Sequence, residues 1–450
     1  CSHQDFGITG KAVPDNIYEY RIDLIKEMGA NAYRTSHYPH AEATMDALDK
    51  KGILVMDETR WYESTDEGIS QLETLIKRDR NHPSVILWSI GNEEPKHVTE
   101  QGRRIAENMI TAARRLDSSR PITTAVSNDP INSTVLDLVD VIGVNYNLNQ
   151  YDDIHRLYPN KPFVSTECCA TATTRGSYLD PSAFTSSYDI DVNEWFLGRE
   201  KTWKFVCDRE WVSGSFQWIA FEHRGECMWP RLCSVSGAID LYLQKKDAFY
   251  QNKSHWSDTP MVHILPHWNH KGLEGEPIKV WVYTNCDEVE LFLNEKSLGA
   301  QKIERFGHGE WIVNYESGGI RAIGRNGGKK CAEEFIETTG EPEALGLVCE
   351  NKVEYANGRD ILLFSCVCVD SCGREVPDAE PTVRFETNSF GRVIGTGANI
   401  CDHIPPQCTE RRMKSGRCTV AVQVSETSGT LKVYAISDGL KTAVETIELK

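Results

Sequence analysis

The sequence predicts an α/β fold, a (β/α)8 barrel followed by two all-β sandwich domains, and three observations carry the prediction. Strand-like and helix-like runs alternate through the first half of the chain about eight times, the number of strands that closes a parallel barrel. The polar residues of those strands gather at their C-terminal ends, where such a barrel collects its functional groups. Beyond about Trp256 the helical period stops, and short alternating runs separated by turn residues take over. The implied domains are a barrel over residues 1–257, a first sandwich over 258–340 and a second over 341–450.

In order, Cys1 to Asp5 reads as the clipped end of a first strand, with His3 and Asp5 at its tip. Ile17, Leu24, Ile25 and Met28 recur at helical spacing between Pro14 and Gly29, the proline near the start and the glycine just past the end. A short strand over Ala30–His37 ends in Arg34, Ser36 and His37. A helix over Ala41–Lys51 stops at Gly52, and the strand Ile53–Glu58 ends in Asp57 and Glu58. A helix near Gly68–Arg80 leads to the strand Val85–Glu93. The next helix, with Ile105, Met109, Ala112 and Leu116 on one stripe, leads to Ile122–Ser127. Val141–Tyr146, Pro162–Cys168 and, after a longer helical region, Val212–Ala220 complete the set, the last carrying Trp218 near its end. A doubly wound open sheet would normally show a glycine-rich phosphate turn or a strand-order switch, and neither is visible.

In the tail, strands are expected at Val262–Leu265, Ile278–Thr284, Val289–Leu293, Glu310–Tyr315 and Gly319–Ile323, with turns at Asn294–Ser297 and Gly318-Gly319. Thr338–Pro342 reads as a linker. A second strand-rich unit follows with Ile361–Val369, Thr382–Glu386, Cys418–Val424 and Leu431–Ala435. His267 and His270 are expected as exposed loop residues.

The formal net charge of −17 argues against nucleic acid or an anionic membrane surface as partner, because both demand clustered Lys and Arg. No stretch approaches the ~20 apolar residues of a membrane span, and the first residues lack a signal-peptide pattern. The 15 cysteines include no Cys-x-x-Cys pair, and several sit in strand-like runs such as Cys366-Val-Cys368. Read mostly as free thiols, they favour a cytoplasmic setting, with the periplasm as the alternative.

Val85 to Asn92 is an apolar run that empties into Asn92, Glu93 and Glu94, and Pro162–Cys168 repeats the design with Glu167 at its end. One such glutamate is ordinarily an ion-pair partner. Two of them at opposed strand ends, with Asn92, Tyr146 and Trp218 nearby, suit a retaining glycosidase, in which one carboxylate attacks the anomeric carbon and the other protonates the departing oxygen. The two then need different pKa values, the nucleophile's negative charge raising that of the acid.

Asn31-Ala-Tyr-Arg-Thr-Ser-His-Tyr-Pro39, Val55-Met-Asp-Glu58, Trp88-Ser-Ile-Gly-Asn-Glu93 and Ser165-Thr-Glu167 resemble glycoside hydrolase family 2, whose members include β-galactosidases, β-glucuronidases and β-mannosidases. The resemblance covers nearly the whole chain. It implies a TIM barrel and two immunoglobulin-like sandwiches, with Glu93 as acid/base and Glu167 as nucleophile. Asn92 would bond the sugar 2-hydroxyl, Tyr146 would orient the nucleophile, and Trp218 would offer an apolar face to the ring. Arg34 and His37 match positions that support or contact the site, and Asp57, His3 and Asp5 join the substrate-binding candidates. Structural duties remain the alternative for these: a salt bridge for Arg34, barrel packing for Trp218, an anchor for the first strand in His3 and Asp5.

No cofactor is called for, and no spacing specifies a metal, although an ion beside the site is left open because some family members bind one. The substrate implied is an oligosaccharide or glycoside; self-association into a homo-oligomer is left open. Glucuronidases of the family grip the sugar carboxylate with an Asn-x-Lys element. Gln244-Lys-Lys-Asp247 supplies lysines without the asparagine, which favours a neutral sugar, and the two-unit tail most resembles that of β-galactosidases, so a terminal β-D-galactoside is the expected substrate, with a glucuronide or an inert carbohydrate-binding fragment as alternatives. Family members also carry a jelly-roll and an immunoglobulin-like domain ahead of the barrel, and neither falls within this sequence.

Overall fold

The computed structural model describes residues 1–179, 185–192 and 196–450. Contacts divide the chain into two compact units that do not follow chain order: residues 1–4, 22–171 and 189–221 form one, and residues 5–21, 172–188 and 222–450 the other.

The first unit is built on a parallel sheet of seven strands in sequential order: β1 (Ala32–Arg34), β2 (Leu54–Glu58), β3 (Val85–Asn92), β4 (Ile122–Val126), β5 (Ile142–Asn145), β6 (Phe163–Cys168) and β7 (Val212–Gln217). Cys1 and Ser2 bridge the two edges. Ser2 N donates to Arg34 O at 3.3 Å, Cys1 N to Gln217 O at 3.1 Å, and Ala220 N to Cys1 O at 3.0 Å. These first residues therefore lie between β7 and β1, where an eighth barrel strand belongs, and the sheet is a nearly closed parallel barrel.

Helices α1 (Asp15–Glu27), α2 (Glu42–Lys51), α3 (Asp66–Asp79), α4 (Glu100–Leu116), α5 (Tyr151–Leu157) and α6 (Arg199–Cys207) alternate with the strands. Their ends follow local chemistry. Thr65 and Thr99 cap α3 and α4 by accepting from the backbone N–H three residues on, at Gly68 and Gly102. Gly52 closes α2 in the left-handed region at φ +66°. In α4 the buried face is Ile105, Ala106, Met109, Ile110, Ala112 and Ala113, a helical stripe against the sheet. Among its described residues, the longer helical region expected before β7 contains one helix, α6; part of that segment lies outside the described residues.

Within the barrel, Met56, Leu87, Val164 and Phe216 form a buried apolar layer, with Ala32 packed against it. Two residues further along their strands, on the same face, stand Arg34, Glu58, Ser89 and Thr166. The barrel interior thus changes from hydrocarbon to charge within one strand repeat.

The second unit carries α7 (Asp247–Trp256) and antiparallel strands. β8 (Val262–Leu265), β9 (Pro277–Thr284), β10 (Glu288–Leu293), β11 (Lys296–Lys302), β12 (His308–Asn314), β13 (Gly319–Asn326) and β14 (Lys329–Glu337) pair as a three-stranded and a four-stranded sheet. Val280, Val282, Leu291, Ile320 and neighbours fill the core of this first sandwich. β15 (Ala344–Cys349), β16 (Ile361–Val369), β17 (Thr382–Thr387), β18 (Gly391–Gly397), β19 (Glu410–Arg412), β20 (Arg417–Val424), β21 (Gly429–Ile436) and β22 (Ala443–Leu449) form two four-stranded sheets around Phe364, Phe385, Val420 and Val433. All the tail strands expected from the pattern are present. The additional ones lack an apolar alternation: β11 exposes much of both faces, and the partly buried face of β14 carries Ala332, Glu334 and Ile336. His270 corrects the expectation of an exposed loop: it is buried, with its ring stacked on His267 and edge-on to Trp268 and Tyr315.

All fifteen cysteines are free thiols. Among the described residues no helix is long and apolar enough to cross a membrane, and no cluster of His, Cys, Asp or Glu is placed to hold a metal ion.

Candidate active site

Arg34, at the end of β1, is the centre of the polar layer. Its guanidinium is fully buried and every arm is used. Nε and Nη2 form a fork on Glu58 at 2.7 to 3.0 Å, Nη2 also reaches Asn92 Oδ1 at 2.6 Å, and Nη1 donates to Glu167 Oε1 at 2.7 Å and to Thr166 O at 2.9 Å. Only arginine offers five donors in a rigid plane, so one side chain can hold two carboxylates and an amide in fixed relation.

Glu167 is 3 % exposed and is held from two sides, by Arg34 on Oε1 and by the Tyr146 hydroxyl, which donates to Oε2 at 2.9 Å. Burial raises the Glu167 carboxyl above the ordinary carboxylate range against the pull of Arg34 and His37, and the charge of Glu93 adds to the rise. Burial and the neighbouring Glu167 push the Tyr146 phenol well above its usual value, so it stays protonated and serves as a donor.

Glu93 joins the same network through amides. Asn145 Nδ2 donates to Glu93 Oε1 and to Asn92 Oδ1, both at 3.0 Å, while Asn145 Oδ1 accepts from Thr166 at 2.6 Å. A continuous chain of hydrogen bonds therefore runs from Glu93 through Asn145, Asn92 and Arg34 to Glu167 and Tyr146. The backbone supports it. Glu93 and Tyr146, each just past a strand, lie in the left-handed region at φ +54° and +52°. Each N–H still bonds the neighbouring strand, Glu93 N to Ala125 O and Tyr146 N to Glu167 O, both at 2.8 Å. A non-glycine residue there costs on the order of 1–3 kcal/mol, and such strain concentrates where side-chain aim matters more than local stability.

The remaining candidates divide. His37 Nδ1 lies 2.8 Å from Glu58 Oε1 and its Nε2 3.8 Å from Glu167 Oε1. Its ring stacks on Trp218 at 5.2 Å, and His3 stands edge-on to both. His3, His37 and Trp218 are thus one aromatic group beside Glu167, with Trp218 buried and one of its faces covered by His37. Asp57 faces the other way. It accepts from Thr35 Oγ1 at 2.8 Å and lies by Asp79 of α3, where burial and the Asp79 charge raise its carboxyl well above the usual range. Asp5 belongs to the second unit, where its carboxylate accepts from Arg224 N at 3.0 Å and meets Lys11 at 3.8 Å.

Two participants stand outside the catalytic and substrate-binding candidates expected from the sequence. Glu58 takes the place that Asp57 was given, because strand alternation puts Met56 and Glu58 on the inner face and Asp57 on the outer. Arg34 and His37 overcome the opposing effect of burial and hold the Glu58 carboxyl below its ordinary range. Asn145 is the bridge to Glu93. Its position at a strand end was visible, but register shifts between β5 and β6 and between β3 and β4 re-aim the side chains there, and a bulge leaves no mark in a period-2 pattern.

Comparison with known proteins finds matches to both the barrel and the tail. The model described as glycosyl hydrolases family 2, TIM barrel domain, matches residues 1–66 and 62–197. Glycoside hydrolase family 2 C-terminal domain 5 matches residues 345–446, and a domain of unknown function, DUF4982, matches residues 275–332. The chain is 31 % identical to beta-galactosidase BoGH2A of Bacteroides ovatus, over 99 % of its own length and 60 % of that protein. It is 28 % identical to a beta-glucuronidase of Formosa agariphila, over 98 % of its length and 46 % of that protein. A beta-glycosidase from Bacteroides vulgatus of known crystal structure superposes with a TM-score of 0.90 at 31 % identity, covering all of this chain and 63 % of its counterpart. The chain therefore spans about half to two thirds of the length of these relatives.

Proposed function

Because this chain belongs to glycoside hydrolase family 2, we propose that it is the catalytic part of a retaining β-glycosidase acting on terminal β-D-galactosides. The observation that carries the proposal is the single hydrogen-bond chain joining Glu93 to Glu167. In the first step a Glu167 oxygen attacks the anomeric carbon and the glycosidic bond breaks. Glu93 gives its proton to the departing oxygen, leaving a glycosyl ester on Glu167. In the second step Glu93, now ionised, takes a proton from water as that water attacks the anomeric carbon. The ester bond breaks, Glu167 is released as carboxylate, and two inversions leave the configuration unchanged. Arg34 and Tyr146 stabilise Glu167 in its ionised forms, and Asn92 bonds the sugar hydroxyl beside the reacting carbon.

The galactoside reading draws on the Bacteroides ovatus relative and on Lys246. Of the lysines that could have met a glucuronate, Lys246 is buried and occupied by Glu222 at 2.9 Å and Val235 O at 3.0 Å. The glucuronide reading draws on the Formosa agariphila relative. Nitrophenyl β-galactoside and β-glucuronide separate them, with turnover of the galactoside expected to dominate. Glu167→Gln is expected to abolish turnover, and NMR of the first product formed is expected to show the β-anomer. Preference for the glucuronide would replace the substrate, an α-anomer would remove the double displacement, and undiminished turnover by Glu167→Gln would remove the mechanism.

A further inference from the structure

The second unit contains a cleft of about 330 Å³ that takes no part in the chemistry above. Its wall is assembled from distant parts of that unit, with Tyr20 on α1, Tyr178, Tyr250 on α7, His263 on β8, Glu350, and Arg417 on β20. The volume lies at the small end of the roughly 300–1,000 Å³ typical of small-molecule sites.

Four of the cationic groups at this cleft are held by carboxylates. Arg417 forks onto Glu375, Arg175 Nε lies 2.9 Å from Asp240, Lys246 Nζ 2.9 Å from Glu222, and His263 Nε2 2.8 Å from Asp247. The carboxylates flanking His263 raise it to about 9 against the effect of burial, so this pair is ionic at neutral pH. An incoming anion would have to displace Glu375 from Arg417 or Asp240 from Arg175. A cation would have to displace those arginines. Each exchange strips a partly buried ion of its partner without adding a bond, so a charged ligand gains little at these pairs.

Beside Lys245 and Glu350, what remains on offer is neutral and two-faced. Three half-buried tyrosine rings supply apolar surface, and two of them are held in place. Tyr250 stacks on His263 at 3.9 Å and 16°, while Tyr178 donates to Asp247 at 2.8 Å and stands edge-on to His267 at 5.5 Å. The Tyr20 hydroxyl points to Glu350 at 3.5 Å. Fixed aromatic surface ringed by compensated polar groups matches a pyranose, which has C–H faces for the rings and hydroxyls that both donate and accept. We propose that this cleft is a second binding site, for a short neutral saccharide, separate in its residues from the barrel network. The proposal stands independently of hydrolysis.

The test uses the full chain as Glu167→Gln, so that sugar is not consumed, labelled with 3-fluorotyrosine and followed by fluorine NMR during titration with lactose. Tyr→Phe variants assign the resonances. Those of Tyr20 and Tyr250 are expected to shift and saturate on a curve independent of Tyr146, which reports the barrel site, and to stay in place when sulfate replaces lactose. Tyr250→Ala is expected to weaken the response at Tyr20 about fivefold or more. Tyr20 and Tyr250 resonances that stay fixed while Tyr146 moves would overturn the cleft proposal and leave the barrel reading intact. A response to sulfate but not to lactose would also overturn it.

Discussion

Arg34 shows how one residue sets the character of the candidate site. A buried guanidinium that met a single carboxylate would be a structural ion pair; this one meets Glu58, Glu167 and the amide of Asn92 at once. Arg34→Lys keeps the charge and loses the fork, so kcat on nitrophenyl β-galactoside is expected to fall about 10²- to 10³-fold, the effect of losing a preorganised donor. Tyr146→Phe removes only the donor to Glu167 Oε2; a smaller loss is expected, about 10-fold or more, with the thermal midpoint nearly unchanged. The acid side of the pH profile belongs to the same scale. A carboxylate that attacks an anomeric carbon must be ionised, and burial places the Glu167 carboxyl above the ordinary range. The acidic limb of kcat/KM is therefore expected above the usual ~4.3 of a glutamate, and a limb below that value would contradict the assignment of Glu167.

Among the elements, the strand ends matter most. Glu93 and Tyr146 leave β3 and β5 with positive φ, and the register shifts that accompany them turn side chains that strict alternation would have sent elsewhere. A different strand connection shows the cost of positive φ away from any chemistry. Asn294 and Glu295 join β10 to β11 at φ +47° and +64°, the two-residue turn whose backbone matches the strand twist. Asparagine tolerates that region and glutamate does not. The ion pair of Glu295 with Arg321 is exposed and offsets little. Glu295→Gly is expected to stabilise the first sandwich by about 0.5–1 kcal/mol, read as a higher urea midpoint; a lower midpoint would mean that the exposed ion pair outweighs the backbone.

For the molecule as a whole, pH acts on stability through buried groups. His97 is buried against Tyr62 and Thr124, and burial pushes its imidazole down to about 4. Between pH 6.5 and 4 the unfolded chain binds a proton there that the folded chain refuses. Stability is therefore expected to fall as pH drops through this window, by about 3 kcal/mol from this residue at full effect. Urea unfolding at pH 7.5 and 5 measures it, and a His97→Gln variant with the same pH slope would show that other groups carry the dependence. Much of this protein was legible in its residues. The strand and helix periods, the glycine and threonine helix ends, and the run Asn92-Glu93 with its echo at Glu167 each depend on neighbours in the chain, and local physics suffices to read them. The division into two units that draw on separated segments, the choice of Glu58 over Asp57, the bridge through Asn145 and the tyrosine-lined cleft all depend on residues brought together from distant parts of the chain. They turn on which face a side chain takes after a bulge and on which charges find each other once buried, and those are settled only when the chain has folded.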